Sequence, residues 1–220
     1  MSKWRSPGVV YNPQIPGTQD LVKQIVGHLG LGDDSLVCTI QELENLGEDS
    51  PKLDVLITVG GDGTILRAVH VAAPRGMAIL GINMGRVGFM TEVTKGEALA
   101  KVPAYLDGEQ RGEERMMVQA SVISAKDGTP GALHALNDVV ISRGREARLL
   151  DISVAVDGAT LTTYRADGVI VATATGSTWY ALAAGGPIFS PEARIMLVQP
   201  IAAHMSLTTA LVVPGESVVE

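Results

Sequence analysis

Five residues between an apolar run and a helical pattern have the types and spacing to bind phosphate and to move a proton. They are Gly60-Gly61-Asp62-Gly63-Thr64. Glycines let backbone N–H groups approach an anion closely, and the following helix N-terminus adds a positive dipole end. Asp62 is the only side chain of this loop with acid–base capacity. The loop has neither the Gly-Lys-Ser/Thr ending of a Walker loop nor the GxGxxG spacing of hydride-transfer enzymes. A plain glycine turn, with Asp62 bonded to its own backbone, is the structural alternative.

Two further segments carry polar groups suited to a sugar, a base or a phosphate. Asn137 and Asp138 precede an apolar run, and an amide beside a carboxylate can bind paired hydroxyls or an adenine edge. Residues 167–180 pass from an apolar run through a hydroxyl-rich glycine turn into a helix that carries Thr178 and Tyr180. The four hydroxyls of Thr175, Ser177, Thr178 and Tyr180 exceed what a helix cap needs, which favours a ribose or phosphate ligand. A strand-entry turn and ordinary helix capping are the structural alternatives.

Three arginines close to the second motif could reach a phosphate. They are Arg143, Arg145 and Arg148. A guanidinium binds phosphate bidentately, although such a run is usually a solvated edge.

The first of these motifs has to be positioned by alternating strands and helices. Leu53 to Val59 is continuous, apolar and β-branched, which predicts a strand buried in a parallel sheet directly before the glycine loop. Periodicity predicts further strands at 8–11, 36–40 and 78–82, and helices at 17–29 and 64–73. The stretch 42–51 is expected to be a polar connection.

After about Pro103 the pattern changes to alternating segments separated by Asp-Gly turns. Strands are expected at 116–123, 135–142, 150–156 and 210–213, a further strand near 216–220, and one helix at 177–184. The predicted fold class is therefore α/β, with a Rossmann-like parallel α/β domain followed by a mostly antiparallel β domain. We place the two domains at 1–103 and 104–220.

Composition restricts the partners. The 220 residues are 46% hydrophobic and 19% charged, which is enough for a sizeable core. A net charge of -7 disfavours nucleic acid and membrane surfaces, and no apolar run reaches the ~18–20 residues of a membrane span. The single cysteine, Cys38, rules out an intrachain disulfide and fits a reducing cytosol. We interpret Cys38 as a small buried residue.

Taken in this order, the segments resemble the NAD kinase family over nearly the whole chain. The loop GGDGT is shared with diacylglycerol-type lipid kinases, so the specific matches are GINMGRVGFM at 81–90, LNDVVISRG at 136–144 and DGVIVATATGSTWYALAAGGPI at 167–188. The chain departs from the family at Ala174, Trp179 and Thr209, where proline, alanine and arginine are usual. Chains of this family normally continue past Pro214, so we expect this chain to be shortened at its C-terminus.

The resemblance implies a cytoplasmic enzyme, commonly a dimer or tetramer, that transfers phosphate from ATP or a similar donor to the adenosine ribose 2′-hydroxyl of NAD. It implies Mg²⁺ or another divalent ion, without identifying its ligands, and no nucleic-acid or membrane partner. Asp62 would be the catalytic base, within a phosphate-binding loop of Gly60, Gly61, Gly63 and Thr64. The expected NAD contacts are Asp62, Gly63, Arg67, Asn137, Asp138, Arg148, Arg165, Asp167, Thr178, Tyr180 and Ala183. A lipid kinase and a non-catalytic NAD-binding regulatory module are the alternatives.

Overall fold

The computed structural model describes residues 4–32, 35–47, 51–85, 88–91, 93–109, 112–123, 131–144, 148–204 and 208–220. The chain forms two compact units, Met1–Gly112 and Glu113–Glu220. The boundary predicted at 103/104 falls inside a helix that runs from Ala98 to Leu106. No helix in the described ranges is both long and apolar enough to cross a membrane.

The first unit is a five-stranded, all-parallel sheet with strand order β2-β1-β3-β4-β5. Its strands are β1 (Pro7–Tyr11), β2 (Val37–Thr39), β3 (Val55–Gly60), β4 (Ala78–Asn83) and β5 (Val93–Thr94). Its helices are α1 (Thr18–Leu29), α2 (Ile40–Glu44), α3 (Asp62–Ala72) and α4 (Ala98–Leu106). The Rossmann-like prediction for this half of the chain is confirmed.

Both faces of the central strand β3 are covered, which explains its unbroken apolar sequence. Ile57 and Val59 face one cluster, which includes residues of α1 and α4. Leu56 faces a second cluster, which includes residues of α2 and α3. Cys38 on β2 belongs to the second cluster, and burial raises the pKa of its thiol to about 11, so its interpretation as a buried residue is confirmed.

The polar connection predicted at 42–51 is wrong at its start, where α2 forms. The Oγ1 atom of Thr39 accepts the backbone N–H of Glu42, and the Glu42 carboxylate accepts the N–H of Thr39 at 2.7 Å. This reciprocal pair satisfies two helix N–H donors, while Ile40 and Leu43 are buried. The Thr-x-x-Glu spacing was visible in the sequence, but the helix is too short to show periodicity.

The second unit is built around a four-stranded antiparallel sheet with strand order β13-β12-β11-β8. Two antiparallel pairs, β6 with β7 and β9 with β10, complete it. The strands are β6 (Val118–Ala120), β7 (Leu133–Ala135), β8 (Asp138–Ser142), β9 (Leu150–Val156), β10 (Ala159–Ala166), β11 (Gly168–Thr173), β12 (Ile195–Ile201) and β13 (Leu211–Pro214). The antiparallel prediction is confirmed.

Two local predictions for the second unit are corrected. The helix expected at 177–184 is divided at Trp179, whose φ of -111° and ψ of -119° are not helical. It becomes a 3₁₀ turn, Gly176–Thr178, followed by the single-turn helix α5 (Tyr180–Ala183). In place of a strand at 216–220, the structure has one antiparallel bridge between Val156 and Val219.

Candidate functional site

Within the glycine loop, a single residue separates Gly60, the last residue of β3, from Asp62, the first residue of α3. A Cβ atom on Gly60 would overlap the Oγ1 atom of Thr64, which is buried and accepts the N–H of Gly61 at 3.4 Å. Gly60 and Thr64 therefore close the turn. A Cβ atom on Gly61 or Gly63 would meet no described atom within 4 Å, so packing against the described residues does not require glycine at either position.

The carboxylate of Asp62 is held by a distant turn and not by its own helix. Oδ2 accepts the backbone N–H of Phe89 at 2.8 Å, and Oδ1 accepts that of Met90 at 3.3 Å. Both donors belong to the second glycine-rich segment, at 81–90. The alternative in which Asp62 bonds to its own turn is wrong, because the carboxylate links two glycine segments of the first unit.

Arg67, which was expected to contact the dinucleotide, is paired with Glu44 across α3 and α2. Its Nε and Nη2 atoms donate to the two carboxylate oxygens at 2.7 and 2.6 Å. This bidentate contact raises the pKa of Arg67 and lowers that of Glu44. Arg67 would have to leave or share Glu44 in order to reach a ligand.

In the second unit, the last residue of β11 and the turn after it cross over the segment that carries Asn137. The backbone N–H of Thr173 donates to the carbonyl of Asn137 at 2.8 Å, and its hydroxyl donates to the carbonyl of Leu136 at 2.6 Å. A Cβ atom on Gly176 would overlap the Asn137 carbonyl. The second and third sequence motifs, predicted separately, are thus in direct contact.

Two buried polar atoms at this crossing have no hydrogen-bond partner among the residues that the structure describes. They are the Oδ1 atom of Asn137 and the hydroxyl of Thr175. The neighbouring hydroxyls are used within the turn, since Ser177 donates to the carbonyl of Ala174 at 2.6 Å and Thr178 to that of Thr175 at 3.2 Å. A buried polar atom without a partner is costly, so these two atoms have hydrogen-bonding capacity that the described residues do not use. Thr175 is not among the contacts predicted from the sequence, although it belongs to the hydroxyl-rich turn.

Asp138 begins β8 beside this crossing and pairs with Ala172 of β11. Burial raises the pKa of its carboxyl group. A carboxyl group whose ionisation is made less favourable by burial is often found at a binding or catalytic site. Two other predicted contacts, Tyr180 and Ala183, are exposed on α5, directly after the crossing turn.

The remaining predicted contacts are not part of this crossing. Asp167 precedes β11 at its other end and forms an ion pair with Arg143, whose Nε lies 3.4 Å from Oδ1. The five residue steps of β11 separate the two ends by about 17 Å. Arg165 is exposed at the end of β10 and Arg148 is exposed before β9, whereas Arg145 lies outside the described residues. The described part of the chain has no cluster of three or more His, Cys, Asp or Glu side chains that could hold a metal ion.

Comparison with known proteins relates both units to one family. The family model described as ATP-NAD kinase N-terminal domain matches residues 22–110, and the ATP-NAD kinase C-terminal domain matches residues 136–220. An NAD kinase of Dehalococcoides mccartyi is 34% identical over 218 residues, which cover 99% of this chain and 77% of the relative.

Solved structures show the same similarity. A yeast NADH kinase complexed with NADH has a TM-score of 0.80 and 25% identity, covering 99% of this chain and 74% of that one. An NAD kinase from Archaeoglobus fulgidus in complex with ATP has a TM-score of 0.68 and 29% identity, covering 97% and 78%. All of these matches are to kinases of NAD or NADH.

Proposed function

The chain belongs to the NAD kinase family, and from this membership we propose that it transfers the terminal phosphoryl group of ATP to the 2′-hydroxyl of the adenosine ribose of NAD, producing NADP. The observation that carries the proposal is the Asp62 carboxylate at the N-terminus of α3, fixed by two backbone donors beside a glycine loop with open approach. Neither a lipid kinase nor a non-catalytic module is favoured by the similarities.

Phosphoryl transfer requires mainly positioning and charge neutralisation. We propose that the N–H group of Gly63 and the N-terminus of α3 receive the donor phosphates. Asp62 accepts the proton as the 2′-hydroxyl oxygen bonds to the terminal phosphorus. The bond from that phosphorus to the bridging oxygen then breaks, and ADP leaves with the bonding electrons.

A divalent ion such as Mg²⁺ would neutralise phosphate charge when it is bound with ATP. The residues present fit an ion that arrives on the triphosphate, because Asp62 is the single carboxylate of the loop and no three-ligand cluster exists in the described ranges. Mg²⁺ commonly takes one or two carboxylates together with substrate oxygens.

For NAD we propose contacts at the crossing in the second unit. Asn137 and Thr175 offer buried polar atoms with unused hydrogen-bonding capacity, and Asp138 adds a carboxylate that can accept hydroxyl protons. Thr178 and Tyr180 follow in the same turn and helix. Arg67, Arg148, Arg165, Asp167 and Ala183 remain predicted contacts from the resemblance.

The direct test is incubation of the protein with MgATP and NAD, followed by detection of NADP with an NADP-specific dehydrogenase. We expect NADP to accumulate in proportion to enzyme. Binding of NAD without any NADP would favour the non-catalytic module, and phosphate transfer to dispersed diacylglycerol in place of NAD would favour the lipid kinase.

Gly63→Ala is expected to separate nucleotide binding from stability. Gly63 is exposed in the first turn of α3, where alanine is the better helix former, so the free energy of unfolding should rise by up to about 1 kcal/mol. MgATP should bind more weakly, because the new methyl group stands where a phosphate has to approach. Calorimetric titration and chemical unfolding measure the two effects. Gly60→Ala is the contrasting variant and should lower the free energy of unfolding, because its new Cβ atom would overlap Thr64. A Gly63→Ala protein with the parent's affinity for MgATP would contradict the assignment.

Asp138→Asn is expected to raise stability and to weaken NAD binding. Because burial raises the pKa of Asp138, its charged form destabilises the folded chain at pH values above that raised pKa. The neutral amide should therefore raise the thermal midpoint at pH 7. The gain should shrink as the pH falls through the raised pKa and vanish below the ordinary value of 3.8, where aspartic acid is also neutral. Thermal melts from pH 3 to 8, with NAD titrations at pH 7, check both effects; a loss of stability at pH 7 would contradict them.

We further propose a cytoplasmic homo-oligomer, either a dimer or a tetramer, from the family resemblance and the single buried cysteine. Light scattering coupled to gel filtration gives the mass of the assembly directly. A monomer at the concentrations used for the activity assay would contradict this proposal.

A further inference from the structure

The glycine turn after β4 lies against the proposed general base. A Cβ atom on Gly88 would overlap both carboxylate oxygens of Asp62. The two following residues each donate a backbone N–H to this carboxylate, Phe89 at 2.8 Å and Met90 at 3.3 Å. The carboxylate is therefore confined by contact on one side and by directed hydrogen bonds from the next two residues.

The turn is itself anchored by the last residue of β4. Asn83 is buried, and its Oδ1 accepts the N–H of Gly85 at 2.8 Å while its Nδ2 donates to the Thr91 hydroxyl at 2.9 Å. One side chain thus joins the beginning of the turn to its end. Thr91 is also buried, so breaking this bond would remove a hydrogen bond between two buried polar side chains.

We propose that residues 88–90 position Asp62 for the reaction. The missing side chain of Gly88 admits the carboxylate, and the N–H groups of Phe89 and Met90 fix its orientation before substrate binds. A carboxylate offers about four lone-pair directions, so two backbone donors leave room for the 2′-hydroxyl proton. The inference rests on the proposed function, since it gives Gly88 a role that acts through Asp62 and not on the substrate.

Gly88→Ala tests this role against a matched control in the same turn. We expect kcat to fall about 10²-fold, the loss that a displacement of ~1 Å causes for an oriented group, while KM for NAD and ATP changes little. Gly85→Ala adds the same methyl group where no described atom lies within 4 Å, Gly85 does not have a positive φ, and turnover should be retained. A Gly88→Ala enzyme with the control's kcat would overturn the proposal. So would a KM for NAD that rises as much as kcat falls.

Amide hydrogen exchange tests the same contact without any substrate. The Phe89 and Met90 amides should be protected in the parent protein and should lose that protection in Asp62→Ala and in Gly88→Ala. Equal exchange in the parent and Asp62→Ala would overturn the proposal whatever the turnover. Protected amides in a parent that forms no NADP would refute the proposed function, and the contact would then be purely structural.

If Gly88→Ala does not fold, a second pair of variants tests whether residues 88–90 position Asp62. Thr91→Val removes the hydroxyl that anchors the turn, and Thr91→Ser keeps it. We expect Thr91→Val to lower kcat more than it raises KM, and Thr91→Ser to restore kcat toward the parent. Equal kcat values for the two variants would overturn the proposal.

Discussion

Asp62→Asn is expected to lower kcat roughly 10²–10⁴-fold, because an amide cannot accept the proton of the 2′-hydroxyl. The replacement is nearly isosteric, and its oxygen can still accept one of the two N–H groups of Phe89 and Met90. The nitrogen of the new side-chain amide would face the other backbone N–H group, so two donors would meet, a mismatch of about 1–3 kcal/mol. The binding free energy for NAD should change by less than about 1.4 kcal/mol, which is less than tenfold in the dissociation constant. Steady-state kinetics and NAD titration check the two expectations separately.

The first unit contains a matched control for this substitution. Asp54 directly precedes β3 and also accepts two successive backbone N–H groups, from Arg5 at 2.6 Å and from Ser6 at 3.1 Å. Asp54→Asn makes the same chemical change in the same kind of contact, but at the opposite end of β3 from the glycine loop. It should show a similar loss of stability with normal turnover. Near-normal turnover of Asp62→Asn would remove Asp62 from the role of general base.

The strand, loop and helix around Asp62 could be predicted because each is determined by local sequence. The apolar run before Gly60 and the periodicity after Thr64 lie within a few residues of the loop that they position. The short helix α2 was missed because five residues cannot display a helical period, and only its capping pair indicated it.

The partners of the site residues could not be predicted, because they depend on contacts between distant segments. Nothing in the glycine loop indicates that Phe89 would hold Asp62, and nothing near Asn137 indicates that Gly176 would lie against it. The register of β8 against β11 determines that second contact. The same strand explains why Asp167, matched by resemblance, lies far from Asp138: Asp167 directly precedes the first residue of β11, whereas Asp138 on β8 pairs with Ala172 near the other end of β11.

Gly176→Ala is expected to damage both the stability of the second unit and its affinity for NAD. The added Cβ atom would overlap the backbone carbonyl of Asn137 and lie 2.9 Å from its Cα, and main-chain atoms cannot move aside as a flexible side chain could. Overpacking of this kind costs about 1–3 kcal/mol. Relief requires the crossing turn to separate from Asn137, which would weaken the 2.8 Å bond from the Thr173 N–H and displace the two unpaired polar atoms that we assign to NAD.

The matched control for Gly176→Ala is Gly131→Ala, which adds the same methyl group in the same unit at a place where no described atom lies within 4 Å. Thermal unfolding and NAD titration of both variants separate local damage from a general effect of the substitution. Because the clash involves the backbone of a proposed binding residue, affinity and stability should fall together in Gly176→Ala and neither should fall in the control. A Gly176→Ala protein that loses stability but binds NAD with the parent's affinity would place the dinucleotide elsewhere, since the crossing cannot be distorted at Asn137 and still present the same atoms to a ligand.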